Sequence, residues 1–105
     1  MPVAPDYIRK VAQKVLEVRA ELPPSRRAGT PVGIARAAQL ARGDNVSIST
    51  LLRMRSYLSR AKENYQRAKA QGLTRENSKA IQAYELWGGP RAMAWVNSEL
   101  KKAGR

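Results

Sequence analysis

The stretch VSISTLLRMRSYLSRAKENYQRAKAQG, residues 46–72, decides the fold. Its apolar residues Leu51, Met54, Leu58, Ala61, Tyr65 and Ala68 recur in steps of three, four, three, four and three. That spacing keeps one face of an α-helix against a core for about five turns. Ser47 is a suitable N-cap, and Val46 before it pairs with Leu51 after it in the pattern of a hydrophobic staple. Gly72 closes the segment. The predicted helix runs from about Ile48 to Ala70 and is the longest in the chain.

Breakers divide the rest of the chain in the same way. Asp6, after Pro5, is placed to cap a first helix carrying Tyr7, Ile8, Val11, Val15, Leu16 and Leu22, which Pro23 and Pro24 end. Residues 25–29, SRRAG, form a basic linker. Thr30 caps a second helix with Pro31 at its first position, and Gly43 is a left-handed stop. Thr74 or Ser78 starts a fourth helix with Ile81, Tyr84 and Trp87. Gly88 and Gly89 break it, and Pro90 opens a fifth with Met93, Val96 and Leu100 on one side. No stretch alternates with period two long enough to predict a strand. The expected fold is all-α, a compact bundle of about five helices with one long central helix. Residues 1–105 form one domain, and 101–105 are a flexible basic tail.

Composition narrows the function. Among 105 residues, 20 Lys and Arg face 8 Asp and Glu, a net charge of +12. So large a charge attracts polyanions: nucleic acid, an anionic surface or an acidic protein face. The chain has no Cys, so it forms no disulfide and no thiolate metal site. It has no His, the commonest metal ligand and general base. The acids are scattered, and no phosphate-binding glycine loop appears. An enzymatic role, a cofactor and a metal are therefore not expected. No run approaches the length of a membrane span, and residues 1–10 lack the apolar core of a signal peptide. The expected setting is the inside of a cell, or of a particle assembled in one.

The positive charge is concentrated. Between Glu21 and Glu63 the only acid is Asp44, against Arg26, Arg27, Arg36, Arg42, Arg53, Arg55, Arg60 and Lys62, a net of +7. On the long helix the basic residues form two rows seven apart: Arg53, Arg60 and Arg67, and Arg55, Lys62 and Lys69. Seven residues is nearly two turns, so each row lines one edge. The second row flanks the apolar stripe, and the first lies well around from it. Such rows can follow a phosphate backbone, and arginine adds bidentate contacts. The plainer reading is a solvated face, but solvated helices mix signs. Here Glu63 alone offsets six basic residues. These six residues, with Arg26, Arg27, Arg36 and Arg42 before the long helix, are the ten candidate nucleic-acid contacts.

Two further patterns carry two readings each. Residues 31–58 are helix-turn-helix-like, which would send Ser47, Ser49, Thr50 and Arg53 toward a major groove; the other reading is a hairpin packed for stability. In ELWGGPRAMAWVN, residues 85–97, two tryptophans flank a Gly-Gly-Pro corner. Trp87 and Trp95 either fill the core against the second and third helices or stack on bases. With no Phe in the chain, core packing is the stronger expectation, and Met54, Leu58, Trp87, Gly88, Gly89 and Trp95 are assigned to it.

Three stretches resemble a small helical module of tailed-bacteriophage and prophage proteins: GTPVGIARAAQLARGDNVS at 29–47, LLRMRSYLSRA at 51–61 and AIQAYELWGGPRAMAW at 80–95. Arg53, Met54, Ser56, Tyr57, Leu58 and Arg60 meet its middle motif. Leu86, Trp87, Gly88, Gly89 and Trp95 meet its late motif. Where the family often carries a His and an acid, this chain has Ala61, Lys62 and Glu63; where it often has Asp and Gly, this chain has Pro90 and Arg91. The resemblance implies phage origin and a module found alone or attached to head-associated proteins. The leading expectation is a phage-encoded, DNA-associated protein in the host cytoplasm or the virion. Alternatives are a structural component held by head or portal proteins, and a basic inhibitor of an acidic host protein.

Overall fold

The computed structural model describes residues 2–105. Among them are five α-helices: α1 (Asp6–Glu21), α2 (Pro31–Arg42), α3 (Ile48–Ala70), α4 (Lys79–Leu86) and α5 (Ala92–Lys102). One 3-10 turn, Pro24–Arg26, interrupts the linker after α1. Val3 forms an isolated bridge with Asn45, and the Val46 amide donates to the Pro2 carbonyl at 2.8 Å. These ties hold the N-terminal segment beside the turn that opens α3.

The helix ends follow local chemistry. The side chains of Thr30, Ser47 and Ser78 accept from the backbone amides of Gly33, Thr50 and Ile81. Each such cap stabilises its helix by about 1 kcal/mol. Ser78 is therefore the start of α4, while Thr74 and Asn77 form a separate turn before it. Gly72, at φ 78°, lets the Leu73 amide reach back to the Ala68 carbonyl and close α3. Two expected starts shift. Asp6 lies inside the first turn of α1 and makes no cap hydrogen bond; Pro5 takes the cap position, and the carboxylate is left to favour the helix dipole. Pro90 does not open α5, because Gly88 to Arg91 form a turn and the helix begins at Ala92. At the other end Lys101 and Lys102 belong to α5, and the Arg105 amide caps back onto the Leu100 carbonyl.

α1 packs on α2, both pack on α4, and α3 packs on α4 and α5. The short α4 thus joins two halves of the bundle. One continuous core draws on every helix, with Ile8 and Val15 from α1, Leu40 from α2, Leu51, Met54 and Leu58 from α3, Leu86 from α4 and Val96 and Leu100 from α5. The apolar stripe of α3 is buried at Leu51, Met54, Leu58 and Ala68 and half-buried at Ala61 and Tyr65. Trp87 and Trp95 are both buried, as expected of core residues. The chief packing partners of α2 and α3 are other helices rather than each other, unlike the braced pair of a helix-turn-helix.

The linker 25–29 is held from both sides. Gln82, buried in α4, accepts from the Ala28 amide at 3.0 Å and donates to the Arg26 carbonyl at 3.1 Å. Arg19 donates to the Ala28 carbonyl at 2.8 Å. Glu85, also buried, receives two hydrogen bonds from Arg75 at 2.7 and 2.9 Å. That pair pins the loop before α4 to the underside of the helix.

Candidate nucleic-acid interface

The ten basic residues singled out from the sequence do not form one surface. Arg27 is taken up by structure: its guanidinium donates to the carbonyls of Leu22 and Ala20 at the end of α1, at 2.8 and 3.2 Å. Arg42 pairs with Asp44 at 2.8 Å, and Arg67 pairs with Glu63 at 3.0 Å. Arg26 lines a recess with Ser78 and Lys79 at the start of α4. Lys69 lines another with Arg75 and Glu76. None of the five ion pairs among the described residues involves Arg36, Arg53, Arg55, Arg60 or Lys62.

Three of these unpaired charges gather on one flank of α3. Arg53, Ser56, Tyr57, Arg60 and Trp87 line an open recess of about 240 Å³. Tyr57 stacks on Trp87, with ring centroids 4.8 Å apart and planes 21° from parallel. The Arg36 guanidinium, from α2, lies 5.6 Å from the centre of the Trp87 ring. Its reach is fixed by a hydrogen bond to Gln39, and its Nε is buried without a partner. Burial, and then the nearby charge of Arg53, lower the proton affinity of Arg36. The guanidinium nonetheless stays charged. It is therefore a partly desolvated cation beside a like charge, and an incoming anion relieves both penalties. Tyr57 is pushed above the ordinary phenol value by burial, an effect opposed by the charge of Arg60.

A second recess, of about 430 Å³, lies on the other flank, where α3 meets α5. Arg55, Ser59 and Lys62 face Pro90, Met93 and Asn97 across it. The two seven-spaced rows thus separate as the helical geometry requires. Their first two members on each side are free of acids, and the third members, Arg67 and Lys69, have neighbours of opposite charge. Ser47 and Thr50, expected at the leading end of α3, hydrogen-bond each other at 3.0 Å in the cap, and Thr50 is buried. Ser49 and Arg53 remain exposed there.

The grouping of Arg36 with Arg53 escapes sequence reasoning, because it depends on how α2 and α3 both meet Trp87. Gln82, Arg19 and Arg75 are structural residues that no local pattern marks, because their partners lie nine or more positions away. Among the described residues no cluster of acids could hold a metal ion, and no helix is long and apolar enough to cross a membrane. The chain matches no family model, no curated protein and no solved structure.

Proposed function

We propose that this chain is a phage-encoded, DNA-associated protein that binds phosphates through the flanks of α3, acting by binding rather than catalysis and mainly without reading sequence. The observation that carries the proposal is the meeting of Arg36, Arg53 and Arg60 around the Tyr57–Trp87 stack with no acid paired to any of them. Arg36, held over the Trp87 ring, loses little freedom on contact, and the planar donors of all three arginines suit phosphate oxygens. Affinity for a short labelled DNA duplex tests the reading. The Arg53→Ala/Arg60→Ala variant is expected to lose roughly tenfold or more. Arg42→Ala, whose partner is Asp44, is expected to change it little. Equal affinities for wild type and the double variant would overturn the assignment of this flank.

The resemblance of residues 29–47, 51–61 and 80–95 to a module attached to phage head proteins favours a second, overlapping role as a virion component, held beside packaged DNA. Mass spectrometry of purified particles tests it: presence of the chain supports the role, and absence removes it.

A further inference from the structure

We infer that α3 lies in the major groove of one B-form DNA duplex, its two basic rows touching the phosphates of opposite strands; this rests on the nucleic-acid reading above. Arg53 and Arg60 line the recess on one flank, and Arg55 and Lys62 line the recess on the other. At about 100° per residue the two rows stand about 160° apart around the helix. The crest between them carries Leu52, Ser56, Ser59 and Glu63, spaced four, three and four. Ser56, Ser59 and Glu63 are exposed, Leu52 is half-buried, and no cation lies on that line.

This cross-section matches one form of nucleic acid. An α-helix with its side chains is about 10–12 Å across, and the B-DNA major groove is about 12 Å wide. A helix seated there has a phosphate backbone on each side and base edges in front. The two rows then meet the backbones, while the short serines allow close approach to the groove floor. The minor groove, about 6 Å wide, excludes a helix. The A-form RNA duplex has a major groove too narrow and deep for the same fit. A single strand has one backbone and reaches one row.

Protection of guanine N7 from dimethyl sulfate on a DNA duplex, run with competition binding, tests this placement. Binding is expected to protect guanine N7, to be displaced by the major-groove ligand methyl green and to resist the minor-groove ligand netropsin. Arg53→Ala/Arg60→Ala and Arg55→Ala/Lys62→Ala are each expected to weaken duplex binding roughly tenfold, with losses that multiply in the fourfold variant. Arg53, Arg60 and Lys62 are exposed and Arg55 is half-buried, and circular dichroism of each variant checks the fold. Unprotected N7 positions, displacement by netropsin, loss from one row only, equal affinity for an RNA duplex of the same sequence, or two duplexes bound per chain would each overturn the placement while leaving DNA binding intact. No binding to any DNA would instead remove the nucleic-acid reading itself.

Discussion

The indole of Trp87 lies on the phenol ring of Tyr57, 4.8 Å between centroids, and so ties the end of α4 to the middle of α3. Arg36 approaches the same indole from α2. One buried tryptophan therefore sets the relative positions of three helices and of the cations they carry. Replacing it with alanine removes the stack and opens a cavity, at an expected cost of about 3–5 kcal/mol. Chemical denaturation of Trp87→Ala measures this. Trp87→Phe keeps an aromatic face and should lose less than half as much; equal losses would show that the stack is unimportant.

Gly88 and Gly72 both have positive φ, at 111° and 78°, but differ in their surroundings. A Cβ on Gly88 would lie 2.7 Å from the Ala92 side chain and 3.2 Å from that of Ile8, whereas one on Gly72 would meet nothing within 4 Å. Gly72→Ala is expected to cost about 1–2 kcal/mol from backbone conformation alone. Gly88→Ala adds a clash in the core and should cost roughly twice that. Paired thermal or urea unfolding of the two variants decides, and similar losses would contradict the packing described at the α4–α5 corner.

Gln82→Leu leaves the Ala28 amide and the Arg26 carbonyl without their partner. Two unsatisfied backbone groups cost about 1–3 kcal/mol each when buried, less where water reaches them. A net loss of about 2 kcal/mol is expected, with faster hydrogen exchange at the Ala28 amide. Unchanged exchange at Ala28 would show that Arg19, through the Ala28 carbonyl, holds the linker by itself.

Tyr57, Tyr65 and Tyr84 all have phenol groups pushed above the ordinary value, in each case chiefly by burial. The folded chain thus holds these protons to higher pH than the unfolded chain. Their contribution to stability is complete below about pH 10, the unfolded value. It is lost as the pH rises through the raised folded values. Urea midpoints should be level near neutrality and fall in the alkaline range, and Tyr84→Phe should make that fall shallower. A midpoint that rises with alkaline pH would contradict the burial of these hydroxyls.

Much of the fold is legible because its signals are local. Ser47, the three-four spacing from Leu51 to Ala68, and Gly72 bound α3 at the residues where the structure bounds it. Thr30, Pro31 and Gly43 do the same for α2. The local rules mislead where neighbours compete: Pro5 displaces Asp6 from the cap, and the double-glycine turn delays α5 to Ala92. The interface is less legible. Charge and spacing pick out Arg53 and Arg60, and Arg55 and Lys62, on their separate edges. They do not tell Arg27, spent on the carbonyls of α1, from Arg36, which tertiary packing carries to Trp87. That difference arises from contacts across the chain that no local pattern records.

The salt dependence of duplex DNA affinity, compared between the wild-type chain and Arg53→Ala/Arg60→Ala, tests the central claim most directly. Phosphate contacts release counterions, so the logarithm of the association constant should fall linearly with the logarithm of salt concentration. Removing two contacts should make that slope shallower by about two, at about 0.9 per phosphate. An affinity indifferent to salt, or an identical slope in the double variant, would contradict phosphate binding by this flank of α3.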